Sequence, residues 1–71
     1  MTILLQNKTT LEYVDGTKGW TMMAGKAREF GTGIEAILFC LNHRMANMQI
    51  RGEFADPRMN FTVPLTDMHA D

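Results

Sequence analysis

From residue 32 onward the apolar and polar positions follow two clear periods. Ile34, Ile37, Leu38 and Leu41 fall at i, i+3, i+4 and i+7, the spacing of one buried stripe on an α-helix. Thr32 and Glu35 precede and open that stripe at capping-box spacing. The hydroxyl accepts from the third helical amide, and the carboxylate reaches back to the cap amide. Glu35 in the first turn and Arg44 in the last carry the charges that a helix dipole favours. The spacing predicts a helix from Gly33 to His43. Beyond it the period becomes two. Met48, Ile50, Gly52 and Phe54 alternate with Gln49, Arg51 and Glu53, and Met59, Phe61 and Val63 alternate with Asn60 and Thr62. Asp56-Pro57 between them is a turn signal, so the two runs read as a hairpin around Ala55 to Arg58. Pro64 ends the second strand or places it at a sheet edge.

The first thirty residues are less regular. Ile3, Leu4 and Leu5 suit a strand, with Gln6-Asn7-Lys8 as a bend. Thr10 to Val14 suits another, with Leu11 and Tyr13 on one face. Asp15-Gly16 signals a turn, and the pattern allows either a hairpin or one kinked strand here. Trp20 to Phe30 reads as an irregular connection with a short strand near Ala27 to Phe30. The order strands, helix, strands gives an α+β domain, one helix on a small, mostly antiparallel sheet. Residues 1–65 form that domain, and 66–71 a flexible C-terminal tail. The expected core is Leu11, Tyr13, Ile34, Ile37, Leu38, Leu41, Ile50, Phe54, Phe61 and Val63, with Trp20 partly buried.

Size sharpens this picture. Seventy-one residues allow one small core, and a single cysteine, Cys40, leaves no internal disulfide to support it. A net charge of −1 is that of neither a strongly basic nucleic-acid binder nor an anionic-membrane binder. The longest apolar run, Ala36 to Leu41, is far short of the roughly 20 residues that span a bilayer. No secretory leader is recognisable, so the expected location is the cytoplasm.

Candidate chemistry is sparse. Cys40 and His43 stand three apart on the helix, and with Asp67, His69 or Asp71 from the tail they would make a metal or small-ligand site. A second Cys or His pair, the usual companion, is missing. As a nucleophile Cys40 sits late in the helix, where the dipole disfavours a thiolate. Serine is absent, and the carboxylates are scattered. Gly31-Thr32-Gly33 offers free amides for an anion, but a helix that needs a flexible start and a cap explains it better. Lys26, Arg28, Arg44, Arg51 and Arg58 lack the aromatic rows on which nucleic acid stacks. The expectation is a protein without catalytic activity, cofactor or metal.

Trp20-Thr21, Ala27-x-x-Phe30, Thr32 and Glu35-Ala36-x-x-Phe39-Cys40 form a longer pattern. It continues with the strand at Met48 to Phe54, the Asp56-Pro57 turn and Phe61-x-Val63-Pro64-Leu65. This layout resembles a family of small uncharacterised bacterial α+β proteins. A shorter stretch, Gly19-Trp20-Thr21 with Phe30 and Glu35-Ala36, is similar to an accessory subunit of the respiratory NADH dehydrogenase, and that likeness stops after the helix. Either resemblance implies a fold and a non-catalytic role.

The helix is apolar nearly all round, because Ala36, Phe39 and Cys40 lie off the main stripe. One sheet covers one face, so a second cover is expected. It is either the Trp20 to Phe30 segment folded back or another molecule, a second copy or an unidentified protein. For the latter, Phe39 is the expected centre, with Trp20 and Met23 at the rim.

Overall fold

The computed structural model describes residues 1–17 and 19–65. Its elements are β1 (Thr2–Asn7), β2 (Tyr13–Val14), β3 (Trp20–Thr21), α1 (Gly33–Asn42), β4 (Met48–Glu53) and β5 (Phe61–Pro64). Short 3-10 turns occupy Ala24–Lys26 and Pro57–Met59. The strands form one antiparallel sheet in the order β3-β2-β1-β4-β5, with one helix packed on it. This is the expected α+β class. The first strand lies at the centre, paired along its whole length with β4 from Thr2↔Glu53 to Asn7↔Met48.

The N-terminal ambiguity resolves as a hairpin, since Gln6 pairs with Tyr13 in antiparallel register. β1 runs on through Gln6 and Asn7, and the turn falls at 8–10 instead of 6–8. Leu11 is no strand residue: its φ is 64°, left-handed, and its side chain is exposed. The Ala27 to Phe30 stretch pairs only through isolated bridges, Asp15↔Ala27 and Ile3↔Phe30, and inserts where β1 and β2 diverge. The C-terminal hairpin is as expected, with β5 at the sheet edge. Met59 belongs to the turn and Phe54 lies just past β4.

Helix α1 begins as its sequence dictates. Thr32 Oγ1 accepts from the Glu35 amide at 3.1 Å. The Glu35 carboxylate accepts from the Gly31 amide at 2.9 Å, one residue earlier than a capping box requires. At the other end Arg44 lies beyond the last turn with φ 51°. Its amide donates to Leu41 and that of Met45 to Cys40, a Schellman closure.

The helix is rotated about a third of a turn from the expectation. Its buried residues are Ala36 and Cys40, with Gly33 close enough that a β-carbon there would sit 3.8 Å from Ile50 Cδ1. Gly33, Ala36 and Cys40 form a stripe of small residues at i, i+3 and i+7 that lets the helix approach the sheet closely. Volume comes from the other side: Ile3, Leu5, Val14, Phe30, Met48 and Ile50. Ile34, Leu38 and Leu41, expected in the core, are exposed, and Ile37 is half-buried at the flank. Phe54, Phe61 and Val63 are also exposed, because α1 lies over β1 and β4 and leaves β5 uncovered. Tyr13 and Ile50 are buried as expected. Trp20 is more exposed than expected.

Candidate functional site

Cys40 and His43 come from one end of α1 but serve different environments. Cys40 is buried in the core, and that burial pushes its thiol pKa up, away from the reactive thiolate. His43 is the helix C-cap residue and exposed. Its ring stacks on Phe39 at 4.1 Å, and Nδ1 lies 2.9 Å from the Phe39 carbonyl, to which a protonated Nδ1 donates. That nitrogen is therefore engaged. Among the described residues no three His, Cys, Asp or Glu side chains gather as a metal site would require. Asp67, His69 and Asp71 lie outside the described residues, as does the whole expected tail.

The glycine-flanked helix start offers little to an anion, because the Gly31 amide is already bonded to Glu35. Arg51 pairs with Glu53 at 3.1 Å, Arg58 pairs with Asp56 at 3.0 Å, and Arg28 lies over the Phe39 ring at 4.8 Å.

Phe39 is covered by its own chain. Phe30 meets it edge-on at 5.3 Å, and Arg28 and His43 lie against the ring. The Trp20 to Phe30 segment thus folds back over this flank of the helix. Trp20 and Phe39 meet along one groove of ≈ 190 Å³ with Val14, Gly19, His43 and Met45, while Met23 stands exposed elsewhere. The groove is smaller than the roughly 300 Å³ at which ligand pockets begin.

On the sheet face away from the helix, the Tyr13 hydroxyl reaches across β1 to Glu53 Oε2 at 3.4 Å. The same carboxylate oxygen accepts from Arg51. Burial, and secondarily the Glu53 charge, raises the Tyr13 pKa above 10.0. Buried Gln6 donates to the Leu11 carbonyl and accepts from Gln49. These groups satisfy one another, and Leu4 on the same face is buried.

The helix side of the molecule is not closed. Ile34, Leu38 and Leu41 are 69%, 51% and 44% exposed on the outer face of α1, and Phe61 and Val63 are 39% and 46% exposed on β5. The periodicity singled out these helix residues and assigned them to the core. No family model, curated protein or solved structure matches the chain. No helix among the described residues is long and apolar enough to cross a membrane.

Proposed function

We propose that this protein is a non-catalytic interaction module that binds a second copy of itself through the outer face of α1 and the uncovered β5. The observation that carries this reading is the rotated helix: small residues face the sheet, and Ile34, Leu38 and Leu41 face outward. A fold that uses its large aliphatic side chains outside its own core has them available for an external cover. The five exposed residues together present an apolar patch on the order of a few hundred Å². That is the scale of the largest patch on a typical monomer, about 300–600 Å², which is often functional. The five are uncharged, so the patch is self-complementary, as a twofold contact requires. Cys40 is buried and its thiol pKa is pushed up, away from an activated nucleophile, which supports binding over catalysis.

The expected centre, Phe39, is replaced in this reading by Leu38, because Phe39 is already covered from within. Sedimentation equilibrium over a hundredfold concentration range should show wild type moving from one chain toward two. Leu38→Asn should remain at one chain while keeping its secondary structure. A wild type that stays at one chain throughout overturns the reading.

A further inference from the structure

The position of each exposed side chain constrains how two copies fit. At about 100° per residue, Gly33, Ala36 and Cys40 define the direction in which α1 faces the sheet. Phe39 falls to one side, where it meets Phe30 and, along the groove, Val14 and Trp20 of the β2–β3 end. Ile37 therefore falls to the other side, toward β4 and β5. Ile34 and Leu41 lie above Ile37, and Leu38 points directly away from the sheet. No polar residue interrupts this arc. β5 presents Phe61 and Val63 on the helix side of the sheet, as the partners of Gly52 and Ile50. It forms a shelf beside α1.

β5 lies about one and a half strand spacings, roughly 7 Å, from the midline between β1 and β4, the two strands that α1 packs on. Paired helices pack about 8–10 Å apart, so a second helix beside α1 comes to rest over β5. Ile34, Ile37 and Leu41 follow the three-then-four spacing of a helix-pairing seam.

Resting on the self-association proposed above, we infer that each α1 lies on the β5 shelf of the other copy. The two helices run side by side between two outer sheets. Their contact is the seam of Ile34, Ile37 and Leu41, and Leu38 of each copy packs on Phe61 and Val63 of the other. This arrangement covers all five exposed residues at once and closes at two chains. The alternative, joining the two β5 edges into one sheet, is opposed by Pro64. The Leu65 amide donates inward to Met48, so by alternation Thr62 and Pro64 face the free edge, and proline has no N–H to offer there.

Isotope-filtered NMR on wild-type dimers that mix labelled and unlabelled copies tests this, with sedimentation run on the same sample. The expected result is intermolecular NOEs from the Leu38 methyls to the Phe61 ring and Val63 methyls, together with contacts among Ile34, Ile37 and Leu41. A two-chain mass with intermolecular NOEs at the Thr62 edge, at Trp20 and Phe39, or at any other surface overturns this arrangement and leaves self-association intact. A one-chain mass overturns self-association itself.

Discussion

Gly52 shows how far a single side chain decides this sheet. It is buried in β4 opposite Phe61, and a β-carbon at Gly52 would overlap the Cε1–Cζ edge of the Phe61 ring. The aromatic ring thus covers backbone that a glycine leaves bare. Gly52→Ala should displace the ring and destabilise the fold by about 1–3 kcal/mol. Chemical denaturation checks this, and an unchanged midpoint would contradict it. Tyr13 gives a pH test. Its folded pKa is raised above 10.0 by burial and by Glu53, so the neutral hydroxyl is the form that stabilises. That contribution is complete below pH 10 and lost as pH rises through the folded value. Alkaline titration should place the Tyr13 midpoint above 10.0, and Tyr13→Phe should lose this part of the alkaline destabilisation. A midpoint at or below 10.0 would contradict the assigned contacts. Neither pairing was legible in the sequence. Phe61 on Gly52 depends on strand register, and Tyr13 to Glu53 on β1 lying between two strands distant in sequence.

Among the elements, α1 separates what a pattern contains from what it leaves open. Its limits were legible because Thr32, Glu35 and the apolar period act locally. The C-terminal hairpin was legible for the same reason, through strict alternation and the Asp56-Pro57 turn. The buried face was not, because two stripes share the helix. Ile34, Ile37 and Leu41 are the more hydrophobic set, and Gly33, Ala36 and Cys40 the smaller. Which one meets the sheet depends on how much volume the sheet already supplies, and Ile3, Leu5, Val14, Phe30, Met48 and Ile50 fill that space. Ala36→Leu should therefore overpack the contact and destabilise by about 1–3 kcal/mol. Far-UV circular dichroism during denaturation provides the reading. An Ala36→Leu variant as stable as wild type would place Ala36 on the outer face instead.

Over the whole molecule, one sheet face carries a polar network whose members satisfy one another, and the other is covered by α1 and by the Phe30 segment beside it. Composition showed a small core without a disulfide. The decision about what else covers the helix belongs to the assembled topology, which sets α1 over β1 and β4 and leaves β5 bare. The Trp20 to Phe30 segment covers the Phe39 flank, so both expected covers are assigned: the chain itself on one side and, in our proposal, a second copy on the other. The concentration dependence of the urea midpoint for wild type and Leu38→Asn tests this most directly. A dimer gains stability by mass action, so the wild-type midpoint should rise with protein concentration. The Leu38→Asn midpoint should be flat, and its unfolding free energy should match that of the wild type in the dilute limit within about 0.5 kcal/mol, as for a surface substitution. A wild-type midpoint independent of concentration, with Leu38→Asn lower by about 2 kcal/mol or more at every dilution, would return Leu38 to the core and contradict the account.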